Sequence, residues 1–191
     1  IVNHIINLPN TITGIRFVLA AVLAIMLMMD QTVWMGFFTC LVFVIAACTD
    51  WVDGYFARLY KSETVLGQLM DPLADKVLVA TALIMLIPLG RVPAWLVLII
   101  LCREIIITGL RGIAASSDIV VAASGLGKIK SISQYIGIGT LIFPLGLLPL
   151  PFLHRLGLAI LYVSLVLTVW SGLDYFYKLK QIFLSPPSPS E

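Results

Sequence analysis

Charge is what this sequence has least of. Only 12 of its 191 residues are Lys or Arg and 10 are Asp or Glu, so 12% are charged, whereas a soluble domain has about 25%. Three stretches contain no charged residue at all: 31–49, 131–153 and 156–173. This deficit argues against a soluble globular domain, and the hydrophobic content of 60% favours a membrane protein.

Basic clusters and cysteine pairs are also missing. The net charge is +2, and the Lys and Arg residues are spread along predicted helix ends, so no nucleic-acid partner is predicted. Cys40, Cys48 and Cys102 form no Cys-x-x-Cys pair. Each lies in a predicted span and is interpreted as a small buried hydrophobic residue.

The apolar stretches are long enough to cross the roughly 30 Å hydrocarbon layer as helices. Turn-forming residues divide the chain between them. The predicted spans are about 10–29, 33–60, 66–88, 92–116, 127–149 and 153–180. The predicted fold class is therefore an all-α integral membrane protein with six transmembrane helices.

The two ends of the chain differ from these spans. Residues 1–9 are apolar but too short to cross, which predicts a short interfacial helix ended by Pro9, with Asn10 or Thr11 capping the first span. Residues 184–191 are rich in Pro and Ser and are predicted to be a disordered tail. Residues 1–183 then form a single membrane domain.

Lys and Arg residues predict the orientation, because cytoplasmic loops carry an excess of them. With six spans, both ends lie on one side together with the loops at 60–65 and 116–128. That side collects six cations: Arg58, Lys61, Lys128, Lys130, Lys178 and Lys180. The opposite side has Arg91 and Arg155, so both termini are predicted to face the cytoplasm.

Four carboxylates stand out in this apolar chain: Asp50, Asp53, Asp71 and Asp75. The first two are three residues apart and the last two are four apart, so each pair shares a helix face, and the turn at 61–65 brings the two helices together antiparallel. One unpaired Asp at mid-membrane costs about 2.5–3.5 kcal/mol, and four cost on the order of 10 kcal/mol. Oxygen ligands suit Mg²⁺ or Mn²⁺, and four carboxylates can hold two such ions.

Small residues alternate with these acids. Gly54, Ala57 and Gly67 allow a ligand to approach the backbone, although the same spacing also serves tight helix packing. Acidic residues within spans can also line an ion pathway, so a divalent-cation transporter is the alternative from another class of protein. A transporter would need a polar path across the membrane. The acidic residues, however, lie toward one side of the membrane, and the following residues 77–90 are apolar.

The acidic motif reads Asp50-x2-Asp53-Gly54-x2-Ala57-Arg58-x8-Gly67-x3-Asp71-x3-Asp75. It matches the signature of the CDP-alcohol phosphotransferases at every defined position, and the chain resembles that family. The resemblance implies a six-helix membrane enzyme, usually a homodimer, with a divalent-metal site open to the cytoplasm. Such enzymes use an alcohol to displace CMP from a CDP-linked substrate.

The resemblance also implies residue roles. Asp50, Asp53 and Asp71 would be metal ligands, and Asp75 a ligand or neighbour of the metal and the general base. Residues expected to border the cytidine nucleotide are Asp50, Gly54, Ala57, Arg58 and Gly67. Asn10, Thr13 and Arg16, at the same end of the first span, could contact the nucleotide or the diphosphate. Alternatively, these residues form a helix cap, and Arg16 is a cation that extends to the membrane surface.

Three further cations are unusual in predicted spans: Arg103, Arg111 and Lys128. The first two are eight residues apart and lie near one helix face. Arg103 could simply pair with Glu104, and the other two could be cytoplasmic anchors. The alternative is an anion site for an acceptor that carries a phosphate, since Arg offers a fork of donors and Lys a point charge.

Sequence outside the motif resembles one branch of the family, in segments that include Asn7–Arg16, Met70–Lys76, Arg103–Arg111 and Leu126–Lys130. This resemblance implies that CDP-diacylglycerol donates its phosphatidyl group to glycerol 3-phosphate in a bacterial inner membrane. It also assigns the acceptor phosphate to Arg103, Arg111 and Lys128. Another acceptor, inositol phosphate or phosphatidylglycerol, remains an alternative.

Overall fold

The described part of the chain folds into six helices. The computed structural model describes residues 8–60, 65–116, 125–144, 146–147 and 152–184, with side chains for 13–49, 73–112, 129–144, 146–147, 152–177 and 180. The helices are α1 (Leu8–Met28), α2 (Val33–Tyr60), α3 (Val65–Leu86), α4 (Ala94–Ser116), α5 (Gly125–Ile142) and α6 (Leu153–Leu184). The described residues contain no β-strand, which confirms the predicted all-α class.

The start of α1 corrects one prediction. Pro9 was expected to end an interfacial helix, but the helix that contains it begins at Leu8 and continues to Met28. Proline is favoured in the first turn of a helix, because its missing N–H would be unpaired there in any case. Asn10 therefore lies within the first turn instead of capping it. Residues 1–7, and the predicted tail beyond Leu184, fall outside the described residues.

The fifth helix is shorter than its apolar sequence suggested. The prediction of 127–149 is wrong at its end, since α5 stops at Ile142. Pro144 disfavours the helical conformation for the residue before it. The last carbonyls of α5 have no partner within the helix, and Arg91 supplies one. Its Nη1 donates hydrogen bonds to the carbonyls of Leu141 (2.8 Å) and Ile142 (3.2 Å).

Buried side chains divide the bundle into two halves. The half that contains Arg91 has an apolar core, for example Leu23, Phe43, Leu83, Leu96 and Leu141. Its one fully buried polar residue among those described, Thr39, donates to the carbonyl of Met35 in its own helix. The other half contains Asp75 and is called the polar half below. It holds the remaining buried polar side chains: Thr13, Arg16, Lys130, Gln134, Ser164, Thr168 and Ser171.

The outer surface of the bundle is apolar over most of its height. Large exposed side chains occur on every helix, including Val18, Ile45, Ile105 and Val166. Within the described residues, one stretch is both long and apolar enough to cross a membrane, Leu153–Tyr177 in α6. Shorter apolar stretches are Thr13–Met28 and Val33–Thr49.

Helices α5 and α6 approach closely at two glycines. A Cβ at Gly137 would lie 2.9 Å from Leu161 Cγ and 3.2 Å from the carbonyl oxygen of Gly157. A Cβ at Gly157 would lie 3.0 Å from Leu141 Cγ and 3.2 Å from the carbonyl oxygen of Gly137. The backbone contact therefore requires both glycines, and it fixes the height of α6 against α5.

Enlarging one of these glycines tests that contact. Gly157→Ala is expected to destabilise the fold by about 1–3 kcal/mol, because the new methyl group meets backbone that cannot move independently. The thermal midpoint in detergent micelles measures this, at about 2–4 °C per kcal/mol. Gly109→Ala is the matched control, since nothing lies within 4 Å of its added Cβ. Equal midpoints for the two variants would contradict the close crossing.

Candidate active site

The acidic motif lies on two adjacent helices of the polar half. Asp50 and Asp53 belong to the second half of α2, and Asp71 and Asp75 to the first half of α3. The two helices contact each other. Helix α2 runs antiparallel to α5, since Gly36 lies against Pro144 and Cys40 against Gly139. Helix α3 runs along α5, from Asp75 at Tyr135 toward Arg91 at Leu141, so α2 and α3 run in opposite directions. The predicted antiparallel pairing of these two helices is therefore present. Asp75 is the one motif carboxylate whose side chain is described.

Other predicted site residues lie on described helices, but their side chains are outside the described set. These are Asn10, Asp50, Asp53, Gly54, Ala57, Arg58, Gly67, Asp71 and Lys128. Their roles remain predictions. Among the described side chains, no group of three or more His, Cys, Asp or Glu residues is arranged to hold a metal.

Asp75 is held by a tyrosine from another helix. The hydroxyl of Tyr135 in α5 donates a hydrogen bond to Oδ1 of Asp75. The ring of Tyr135 packs against that of Phe43 in α2, with 6.1 Å between centroids. Because this ring packing fixes the hydroxyl, the hydrogen bond restricts the orientation of the carboxylate. Carboxylates that bind metals are commonly oriented by such hydrogen bonds, so Asp75 fits the metal-site role that the family implies.

Glu104 of α4 is the shared partner of three cations. Its Oε2 accepts a hydrogen bond from Nζ of Lys76 in α3 at 2.6 Å. Its Oε1 is in contact with Nζ of Lys130 in α5 and lies 3.4 Å from Nη1 of Arg103. These four residues are called the Glu104 cluster below. Three cations share one carboxylate, so two positive charges in the cluster have no partner within it.

Arg103 extends the Glu104 cluster to α6. Its Nη2 donates to Oγ of Ser171 at 2.7 Å, and Ser171 in turn donates to the carbonyl of Thr168. A Cβ at Gly172 would lie 3.1 Å from Nε of Arg103, so the glycine leaves room for the guanidinium. The predicted alternative for Arg103, an ion pair with Glu104, is therefore present. It does not remove Arg103 from an anion site, because the cluster remains net positive.

Arg111 lies apart from the Glu104 cluster. Its guanidinium carbon is 5.5 Å from the ring centroid of Tyr175 in α6, a cation–π distance. The side chain is exposed. Arg111 nevertheless acts electrostatically on Lys76, so it belongs to the same positive region. The structure thus places Arg103 inside the region and Arg111 at its rim.

Thr13 and Arg16 point into the bundle. Arg16 is fully buried and Thr13 is 1% exposed, and both have interaction partners. A cation extending to the membrane surface, the alternative for Arg16, is therefore wrong. Burying an arginine is costly unless charged or polar partners surround it, so Arg16 indicates a polar interior at this end of α1.

An apolar cavity of about 490 Å³ lies between α2 and α5. Its lining includes Phe43, Val44, Ala47, Tyr135 and Ile136. Tyr135 also contacts Asp75, so it separates the apolar cavity from the acidic motif. The cavity therefore ends at Tyr135, one side chain away from Asp75.

Sequence reasoning did not assign four residues to this site, Lys76, Glu104, Lys130 and Tyr135, although it named Glu104 as a possible partner of Arg103. The first three carried a signal, since each is a charge within an apolar helix and therefore needs a partner. Tyr135 carried none, because a tyrosine in an apolar helix is more often explained by packing. Its contact with Asp75 joins residues 60 positions apart, a separation that no local pattern describes.

Comparison with known proteins identifies the family of this chain. Residues 6–170 match the family model described as CDP-alcohol phosphatidyltransferase. A relative from Bacillus subtilis (strain 168) is 39% identical over 186 residues, covering 90% of this chain and 94% of its own length. One from Escherichia coli (strain K12) is 34% identical, covering 88% and 92%. Both are named CDP-diacylglycerol–glycerol-3-phosphate 3-phosphatidyltransferase.

A third relative with the same name, from Cereibacter sphaeroides, is 30% identical and covers 90% of this chain and 95% of its own length. The chain belongs to the CDP-alcohol phosphatidyltransferase family. The predictions of this family and of an enzyme are confirmed, and so is the resemblance to the branch that bears that name.

Tyr135→Phe tests how Asp75 is held. Without the hydroxyl, the carboxylate loses the hydrogen bond that orients it, and turnover in phosphatidyl transfer is expected to fall by about 10–100-fold, as for other residues that orient metal-binding side chains. The Km for the CDP-lipid should change little. Tyr162→Phe is the matched control, since Tyr162 packs on Trp95 away from the acidic motif. Wild-type turnover in Tyr135→Phe would contradict the contact.

Proposed function

We propose that this chain transfers the phosphatidyl group of CDP-diacylglycerol to glycerol 3-phosphate, which forms phosphatidylglycerophosphate and releases CMP. The observation that carries the proposal is the position of the net-positive Glu104 cluster, directly beside the motif carboxylate Asp75. Lys76 follows Asp75 in sequence, and both Lys76 and Lys130 interact electrostatically with it. The relatives' printed names support this choice of substrates.

The donor is proposed to lie along the acidic motif. Asp50, Gly54, Ala57, Arg58 and Gly67 border the nucleotide, together with Asn10 and Thr13 from α1. The apolar cavity beside Tyr135 supports a lipid donor, because acyl chains need a hydrocarbon environment next to the diphosphate.

The acceptor is proposed to lie against the cations. Glycerol 3-phosphate carries a phosphate of about −1.5 to −2 charge at neutral pH. The Glu104 cluster offers a positive region for such a phosphate, since three cations share the carboxylate of Glu104. Arg111 and Lys128 are proposed to complete the acceptor site, as the family resemblance implied.

Asp75 is proposed to act as general base. The hydroxyl of glycerol 3-phosphate attacks the phosphatidyl phosphorus, and its proton passes to the Asp75 carboxylate. A new P–O bond forms to the acceptor while the P–O bond to CMP breaks. Tyr135 keeps the carboxylate oriented during this step.

Asp50, Asp53, Asp71 and Asp75 are proposed to hold Mg²⁺ or Mn²⁺, with room for two ions. When bound, such ions neutralise the diphosphate and stabilise the leaving CMP. The donor set supports this assignment, because hard divalent cations prefer carboxylate oxygens.

The bundle is proposed to span a bacterial inner membrane six times, surrounded by membrane lipids. The apolar outer surface supports this, since exposed patches of this extent mark contact with lipid or protein. Trp34 and Trp95, exposed in the first turns of α2 and α4, suit the membrane interface opposite the acidic motif. Both termini and the active site are proposed to face the cytoplasm, and the chain to form a homodimer.

A panel of acceptors tests the proposed function. Protein in detergent micelles with CDP-diacylglycerol and Mg²⁺ is expected to incorporate labelled glycerol 3-phosphate and to lose this activity when a chelator removes the metal. Labelled inositol phosphate and phosphatidylglycerol serve as the competing acceptors. Incorporation of either one without glycerol 3-phosphate would overturn the choice of acceptor. Mg²⁺ flux into liposomes above background would instead favour a transporter.

The base role of Asp75 is tested by Asp75→Asn. The amide keeps the size of the side chain but cannot take up the proton, so turnover is expected to fall by at least about 100-fold, the lower range for acid–base catalysis. Binding of CDP-diacylglycerol is expected to persist in equilibrium dialysis. Asp30→Asn, exposed at the opposite end, is the matched control. Lost binding with normal residual turnover would refute the assignment.

A further inference from the structure

Glu104 has no part in the proposed chemistry, yet its carboxylate contacts three cations. It collects cations from three helices: Lys76 from α3, Arg103 from α4 and Lys130 from α5. Its side chain is 12% exposed and that of Lys130 is 6% exposed. Solvent therefore screens the contacts of Glu104 with Lys130 and Arg103 poorly, and the carboxylate strongly affects where these two cations lie.

An ion pair with a purely structural role would match each cation with its own carboxylate. One carboxylate neutralises one cation, and extra buried cations cost free energy unless something compensates them. Here one carboxylate meets three cations, so the described cluster is left net positive. Asp75 offsets part of this charge through Lys76 and Lys130, and a further anion can contact the remainder.

The geometry also places that anion. Lys76 adjoins Asp75 in α3, and Tyr135 of α5 binds Asp75 from the helix that carries Lys130. Arg103 is fixed from the opposite side by Ser171 and passes beside Gly172. An anion that contacts these cations is therefore adjacent to the carboxylate that accepts the proton.

Lys side chains do not hold such positions unaided. Each has four rotatable bonds, and three like charges so close together repel one another. The Glu104 carboxylate opposes this repulsion by taking Lys76 on one oxygen and Lys130 with Arg103 on the other. The ordering is then complete before the substrate arrives, which lowers the cost of binding.

We propose that Glu104 is a positioning residue, which holds Lys76, Arg103 and Lys130 as the wall that binds the phosphate of the acceptor. This rests on the proposed function, in which the acceptor is a phosphate monoester. The centre of the acceptor site then lies at Lys76 and Lys130, which were not among the acceptor residues expected from the sequence. Arg111, stacked on Tyr175, then serves the rim of the site.

Glu104→Gln tests the proposal through the two substrates separately. The amide keeps the shape of the side chain but loses its charge, so the cations disperse. The Km for glycerol 3-phosphate is expected to rise by about 10–100-fold, by analogy with the loss seen when residues that orient metal ligands are removed. Turnover at saturating acceptor and the Km for CDP-diacylglycerol should change by less than about threefold. Inorganic phosphate, a competitive probe of the same wall, should inhibit the variant correspondingly more weakly.

Two further variants separate positioning from folding. Glu104→Asp keeps the charge on a shorter side chain and is expected to restore part of the acceptor affinity. Gly172→Val leaves every charge in place, but its branched side chain displaces Arg103, so it should raise the same Km even if Glu104→Gln does not fold. Asp30→Asn removes a carboxylate far from the cluster and should leave both Km values unchanged.

Several outcomes would overturn the proposal. An unchanged Km for glycerol 3-phosphate in Glu104→Gln and Gly172→Val refutes it, and a lowered Km in Glu104→Gln means that Glu104 competes with the phosphate. A lower thermal midpoint with equal losses for both substrates means a structural ion pair. Wild-type protein that uses inositol phosphate instead refutes the proposed function alone, and the Km for that acceptor then tests Glu104. Use of phosphatidylglycerol refutes both, since it offers no phosphate monoester.

Discussion

The carboxylate of Glu104 is the contact on which the polar half of this bundle depends. It joins α3, α4 and α5 through Lys76, Arg103 and Lys130, and Arg103 continues the connection to Ser171 in α6. Charges in a poorly screened interior must meet partners at hydrogen-bond distance. This one group of side chains therefore restricts how far α3, α4, α5 and α6 can shift along one another. The glycine crossing of α5 and α6 applies a second restriction, because the backbones meet at Gly137 and Gly157.

The apolar packing that stabilises the bundle and the polar side chains of the candidate active site therefore lie in different halves. The half around Arg91 is packed with Leu, Ile, Ala and Phe side chains, and Arg91 itself closes the end of α5. The half around Asp75 contains nearly all the buried polar side chains that are described. A continuous polar path would be needed to carry an ion across, and the described interior beyond Asp75 offers none. A reaction at one end of the bundle is the simpler use of such a division, and the membership of the CDP-alcohol phosphatidyltransferase family agrees with it.

Much of the fold could be predicted because helices in an apolar chain are set by local signals. The bounds of α2, Val33–Tyr60, agree with those predicted, since turn-forming residues flank the helix at both ends. Predictions failed where proline was decisive. Pro9 begins a helix that it was expected to end, and Pro144 with Arg91 ends α5 inside an apolar stretch. Arg91 lies 50 residues from the carbonyl it caps, so periodicity in α5 could not indicate where the helix would stop.

By itself, the sequence determined the family and the acidic motif, because spacings of three and four residues place carboxylates on one helix face whatever the rest of the chain does. It also set Arg103 apart as a cation in an apolar helix. Only the tertiary structure decided what meets these groups. Tyr135 reaches Asp75 across 60 residues, and Lys76, Arg103 and Lys130 converge on Glu104 from three helices. The physical reason is that a buried charge requires a partner without specifying which one, and helix packing makes that choice.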